Sequence, residues 1–245
     1  MKWTTIGAWG VYPKAESATS CYLVEKDGFS VVIDMGSGAL SRLQQYITVN
    51  EIDAIVISHF HHDHVADIGP FQYACLVNEQ LGTLNGPVPI YAAADGDTDF
   101  DMLDHVATAG RGYDPNKPLH LGPFTFKFMK TKHPKTCYAM RVTDDETTVV
   151  YTADTAFFPE LTGFTKDVDL LIAESSFYDG MDGSGPGHMT STECGRIAED
   201  AGVGKLWLTH LPHFGHLADL VSEAKTVYNG EVELAREGLC FNLRR

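Results

Sequence analysis

The run Ser58-His59-Phe60-His61-His62-Asp63-His64 sets imidazoles and a carboxylate in the pattern H-x-H-x-D-H, at His59, His61, Asp63 and His64. Imidazole nitrogen and carboxylate oxygen suit zinc, iron or manganese, so the donor types point to a metal centre without choosing the metal. The run directly follows the apolar stretch Asp53–Ile57. A sharp loop leaving a strand can turn His59 and His61 toward one ion, and Asp63 with His64 toward a neighbouring one. One loop cannot complete two metal sites, so further ligands are expected at other strand ends. His133 follows Phe124–Lys130, Asp154 follows Thr147–Tyr151, and His210 follows Lys205–Leu208. Each terminates an apolar run, where side chains from different strands can converge. On the residues alone, a capping or turn role serves these three equally well.

Such a convergence needs many strands with a common edge, and the apolar patterning supplies them. Strands are predicted at Lys2–Ala8, Cys21–Glu25, Ser30–Ile33, Ala54–Ile57, Val88–Tyr91, Phe124–Lys130, Tyr138–Thr143, Thr147–Tyr151, Leu170–Ala173, Lys205–Leu208 and Gly238–Leu243. Helical patterns fall at Leu40–Tyr46, Ala66–Leu81, Phe100–Thr108, Ser191–Ala201 and Leu217–Tyr228. Thr190 or Ser191 ahead of Glu193 reads as a helix cap with an acidic partner, and Gly202 as a stop. Alternating strands and helices indicate a layered α/β sandwich. The hairpin-like run Phe124–Tyr151 argues for mixed sheets over purely parallel ones.

The remaining composition bounds the function. The 245 residues carry a formal net charge of −15, which repels phosphate backbones at long range. Basic residues are dispersed apart from Arg244-Arg245, so no patch for gripping nucleic acid is read. Bound cations can still hold a small anion against such a background, because they dominate the local field. Cys21, Cys75, Cys137, Cys194 and Cys240 are scattered and never in C-x-x-C spacing, which suits reduced, packed thiols. No apolar stretch reaches membrane-spanning length, and the first residues lack the apolar region of a signal peptide, so a cytoplasmic protein is expected. No linker or repeat interrupts the chain, and residues 1–245 are read as a single domain. The carboxylates Asp95, Asp97, Asp99, Asp101 and Asp104 lack the glycine and terminal glutamate of a calcium loop and read as a solvated helix start. His62, His105 and His120 read as surface histidines, and His213 and His216 receive no role.

Two more segments sharpen the picture: Leu171-Ile172-Ala173-Glu174-Ser175-Ser176 and Gly187-His188-Met189-Thr190-Ser191. Together with the histidine run and Gly7-Ala8-Trp9-Gly10-Val11-Tyr12-Pro13, they make the chain resemble the metallo-β-lactamase-fold superfamily. Within it, the resemblance is to the tRNase Z-like branch of small phosphodiesterases. It implies a four-layer αββα sandwich of two mixed β-sheets flanked by helices. It further implies two divalent metal ions, zinc first with manganese or iron as alternatives. His59, His61 and His133 would hold one, Asp63, His64 and His210 the other, with Asp154 bridging. By the same resemblance, His188 oriented by Glu174 lies beside the scissile phosphate and protonates the leaving group, and Asp63 helps orient the attacking hydroxide.

The activity so implied is hydrolysis of a small or cyclic phosphodiester. Three alternatives remain open: a lactonase or other ester hydrolase, a tRNA 3′-processing endonuclease, and a metal-holding sensor without turnover. Val65–Lys132 contains no basic, Gly/Pro-rich arm of the kind that clamps tRNA, which argues against nucleic acid as partner. No membrane partner is read, and a homodimer is compatible with the resemblance.

Overall fold

The computed structural model describes residues 1–94 and 98–242. Asp95, Asp97, Leu243, Arg244 and Arg245 lie outside the described residues. The chain forms two compact units, Met1–Pro123 with Arg236–Arg245, and Phe124–Ala235.

The first unit holds β1 (Lys2–Gly7), β2 (Cys21–Lys26), β3 (Phe29–Ile33), α1 (Ala39–Leu43), β4 (Ala54–Val56), α2 (His62–Val65), α3 (Ile68–Gln80), β5 (Val88–Ala93), β6 (Thr108–Tyr113) and, from the far end of the chain, β14 (Cys240–Asn242). Its seven strands run in the order β14-β1-β2-β3-β4-β5-β6. Pairing is antiparallel from β14 to β3 and parallel from β3 to β6. Register explains the core. Leu23 faces Val32, Val32 faces Ile55 and Ile55 faces Ile90, so one apolar row crosses four strands. That row packs with Leu43, Ile68, Phe71 and Cys75 from the helices. Each fully buried side chain of this size contributes about 1.5–3 kcal/mol.

The second unit holds β8 to β13 with three helices, and the second sheet runs in the order β13-β12-β11-β10-β9-β8-β7. Except for β7 (Leu119–Leu121), these elements lie within Phe124–Ala235: β8 (Phe124–Lys130), β9 (Tyr138–Thr143), β10 (Thr148–Tyr151), α4 (Pro159–Phe164), β11 (Leu170–Glu174), α5 (Ser191–Asp200), β12 (Lys205–Thr209), α6 (Leu217–Ala224) and β13 (Glu231–Leu234). The meander β8-β9-β10 is antiparallel, whereas β10 through β13 are parallel. Parallel neighbours need crossovers, and α4, α5 and α6 supply them. The central runs LLIAE and KLWLT are buried almost throughout, as strands covered on both faces should be. Thr190 caps α5 with Glu193 in a reciprocal capping box, and Gly202 follows its end at φ 64°. The cap and stop read from the sequence both hold.

Two seven-stranded mixed sheets with flanking helices are therefore present, as expected. One predicted helix is corrected. Phe100–Thr108 does not form one; a short 3-10 turn covers Thr98–Leu103, and β6 begins at Thr108. His105 and Thr108 exchange backbone hydrogen bonds of 3.0 and 3.2 Å, closing a tight turn, and the Thr108 hydroxyl donates to the Leu103 carbonyl. Asp104 does not start a helix either, since its Oδ1 accepts the Gly110 N–H at 2.8 Å. β6, β7, β13, α2 and α4 were not legible in the apolar pattern: β6 contains two glycines, and the others are only three to six residues long. No helix among the described residues is long and apolar enough to cross a membrane.

Candidate metal centre

In both units, chemistry-bearing residues sit just beyond the carboxyl ends of strands, where an open α/β sheet places its ligand-binding groups. In the first unit β3 ends at Ile33 and β4 at Val56. Asp34 and the histidine run follow immediately.

Asp34 organises the run. Its Oδ1 accepts the Ser58 backbone N–H at 2.8 Å; its Oδ2 accepts the Ser58 hydroxyl at 2.8 Å and His64 Nδ1–H at 2.7 Å. An ionised carboxylate only accepts, so His64 carries its proton on Nδ1 and keeps the Nε2 lone pair for another partner. That Nε2 lies 3.8 Å from Asp63 Oδ2. The same Asp63 oxygen accepts the Val11 N–H at 2.8 Å, which fixes the glycine-containing first loop against the run. His59 is buried, with Nδ1 3.0 Å from the Ser58 hydroxyl and Nε2 3.1 Å from His61 Nδ1. His62 points outward and is exposed, as expected. Gly36 makes the close packing possible, because a Cβ there would lie 2.0 Å from the Asp63 carbonyl oxygen and 2.1 Å from Thr19 Oγ1. Among the described residues, this unit thus gathers His59, His61, Asp63 and His64 around a loop held by Asp34.

The second unit gathers the rest. Asp154 follows β10, His210 follows β12 and His133 lies just past β8. His210 Nε2 and His133 Nε2 lie 3.3 and 3.9 Å from Asp154 Oδ2. Their other nitrogens are tied off: His133 Nδ1–H donates to the Gly187 carbonyl at 3.1 Å, and His210 Nδ1 meets the Ser176 hydroxyl at 2.8 Å. Burial, which favours the neutral ring, is the main cause that pulls the His133 pKa below its ordinary value, against the opposing pull of Asp154. Gly187, at φ 84°, lets its loop touch His133, since a Cβ there would come within 2.7 Å of the Pro134 ring. The backbone is strained at two of these strand ends, with Ala153 at φ 49° and His210 at φ 51°.

Glu174 ends β11 and is fully buried. Its carboxylate receives four donors: His188 Nδ1–H at 2.7 Å and Thr155 N–H at 3.1 Å on Oε1, and the Ser176 hydroxyl at 3.0 Å and N–H at 3.2 Å on Oε2. With its hydroxyl hydrogen given to Glu174, Ser176 accepts from His210 Nδ1–H, and the ligand-capable lone pair of His210 is again on Nε2. The His188 and His210 rings stack at 5.1 Å between centroids. Glu174, His188 and His210 each bring a ligand-capable atom to within 4.8 Å of the others. Asp34, Ser58 and Ser176 were missed in the sequence. Asp34 could have been found by the same strand-end logic that picked out Asp154, because it directly follows Val31-Val32-Ile33.

The donor set suits a divalent metal. His64, His133 and His210 each have Nδ1 engaged by an oxygen, which leaves Nε2 as the basic nitrogen, and each Nε2 lies near a carboxylate oxygen. This is how metal-binding histidines are fixed in tautomer and direction.

A family model described as a β-lactamase superfamily domain matches residues 30–211. The chain is 50% identical over 242 residues to the probable metallo-hydrolase YhfI of Bacillus subtilis, covering 98% of this chain and 99% of that one. The crystal structure of the metallo-β-lactamase-fold protein YhfI superposes with a TM-score of 0.97 at 47% identity, over 98% of each chain. More distant structures share the fold. A diphosphatase from the PhnP family gives a TM-score of 0.78 at 19% identity, over 99% of this chain and 98% of that one. The short form of human tRNase Z gives 0.77 at 18% identity, over the whole of both chains. With a matched family domain spanning most of its length and a half-identical relative along nearly all of it, the chain belongs to the β-lactamase superfamily and is a metallo-hydrolase of the metallo-β-lactamase fold.

Proposed function

We propose that the protein is a dinuclear phosphodiesterase acting on a small or cyclic phosphodiester, with both units working as one domain. His59, His61 and His133 would hold one metal ion, Asp63, His64 and His210 the second, and Asp154 both. Zinc is the proposed metal, since neutral imidazoles with carboxylates are its ordinary donors. When bound, such a pair of ions supplies an activated water at neutral pH and offsets charge on the phosphoryl oxygens.

The observation that carries the phosphodiester reading is the buried Glu174 carboxylate 2.7 Å from His188 Nδ1. A partly buried imidazole so held keeps Nε2–H directed away from the carboxylate, ready to protonate an alkoxide. An alkoxide is a poor leaving group, and a phosphodiester needs that proton more than an activated ester does. The net charge of −15 supports a small substrate over tRNA.

The test is hydrolysis of bis-p-nitrophenyl phosphate and of alkyl phosphodiesters by protein loaded with zinc or with manganese. Metal-dependent turnover, with His188→Ala lowering alkyl-diester rates about 10²–10⁴-fold, is expected. Turnover of lactones alone, unmoved by His188→Ala, would replace this reading with a lactonase.

A further inference from the structure

A row of rings leads away from the proton donor. His210 stacks on His188 at 5.1 Å and 20°. Phe177 lies 6.3 Å from His188 on centroids, and Phe214 lies 6.3 Å from Phe177. The row ends at Phe214, which is 48% exposed although its position is rigidly built. The Tyr178 hydroxyl donates to the Phe214 carbonyl at 2.9 Å, and the two rings pack at 5.8 Å. Gly215, at φ 70°, lies so close that a Cβ there would come 2.5 Å from the Tyr178 ring. A large apolar ring held in water by a fixed loop loses the benefit of burial and keeps little freedom to bury itself elsewhere.

We propose that Phe214, backed by Phe177 and Tyr178, is a stacking platform for a flat aromatic group, of nucleobase size, carried by the substrate next to its phosphate. The inference rests on the phosphodiesterase reading and narrows it to phosphate esters bearing such a group. An oxygen protonated by His188 belongs to the leaving group, and the ring row extends from that histidine to Phe214. An attached base would meet an aromatic face there, whereas a simple sugar or alkyl chain would leave the face wet. Stacking tolerates any base, because each has a π-face, so the platform selects for flatness and not for one base.

The experiment is calorimetric titration of the metal-loaded protein with adenosine 5′-monophosphate and with ribose 5-phosphate, which differ only in the base. Adenosine 5′-monophosphate is expected to bind about tenfold more tightly or better, a difference of about 1.4 kcal/mol. Phe214→Leu keeps apolar bulk without a flat face and should erase most of that preference, while Phe214→Tyr keeps the face and should retain it. Equal affinity of the two probes in the wild type, including no binding by either, overturns the inference. So does a preference that survives Phe214→Leu. Turnover of bis-p-nitrophenyl phosphate in the same preparations reports separately on the phosphodiesterase reading. Turnover without base preference sinks the platform alone.

Discussion

Asp34→Asn separates the role of Asp34 in the fold from the role proposed for it beside the metal. The substitution is isosteric, and the surroundings dictate how the amide sits. The Ser58 N–H, 2.8 Å from Oδ1, cannot be turned away, because β4 leads directly into it. The amide oxygen must remain on that side, since two opposed buried N–H groups would cost about 1–3 kcal/mol. The amide NH₂ then faces His64 Nδ1, previously 2.7 Å from a carboxylate oxygen. Two donors cannot share that contact, so His64 moves its proton to Nε2, the nitrogen assigned to the metal. Loss of such an outer partner lowers metal affinity 10–100-fold, or about 1.4–2.8 kcal/mol. The polypeptide keeps its backbone hydrogen bond, and the metal-free protein should lose no more than about 1–2 kcal/mol. Competition with a chromogenic chelator measures affinity for zinc and cobalt, while denaturant melts of the apo-protein measure the fold. Affinity within twofold of wild type for both ions would refute the tautomer argument. A collapse of the apo fold with unchanged affinity per folded molecule would refute it as well.

Other outcomes follow from the same contacts. Ser176→Ala removes the hydroxyl between Glu174 and His210 and should lower both zinc affinity and kcat by about tenfold or more, with partial rescue by Ser176→Thr; chelator competition and steady-state kinetics check both. Gly36→Ala forces a Cβ to within 2.0 Å of the Asp63 carbonyl oxygen and should destabilise the fold by more than about 3 kcal/mol, read as a loss of denaturant midpoint. Burial holds the His133 pKa below its unfolded value, so the unfolded chain takes up the proton first as pH falls. The stability contribution is whole above the unfolded pKa, about 6.5, and is lost progressively as pH drops below it. Apo-protein melting between pH 7.5 and 5.5 should show that loss, and His133→Gln should flatten it. A pH dependence left unchanged by His133→Gln would contradict it.

The sequence carried the site further than it carried the fold's edges. His59, His61, Asp63 and His64 are legible because one loop holds them all, and their spacing alone marks a loop whose donors suit a metal. On the residues alone His133, Asp154 and His210 serve equally well as caps, and only a family resemblance assigns them as ligands, because residues far apart in the chain leave no local signal that they meet. Asp34, Ser58 and Ser176 carry no ligand-like spacing at all, and their importance lies in which nitrogen of a neighbouring ring they occupy. Long apolar strands such as Phe124–Lys130 and Tyr138–Thr143 appeared with the expected bounds. The Phe100–Thr108 segment failed because its periodicity is outweighed by the turn closed between His105 and Thr108. Glycines in β6 then hid the strand that follows.

Elemental analysis of the purified chain, reconstituted with zinc and freed of loose metal, bears most directly on the whole account. Roughly two equivalents per chain are expected, falling sharply in Asp154→Ala together with diester turnover. A wild-type chain that retains no stoichiometric metal, or an Asp154→Ala variant that keeps its full complement and activity, would contradict it.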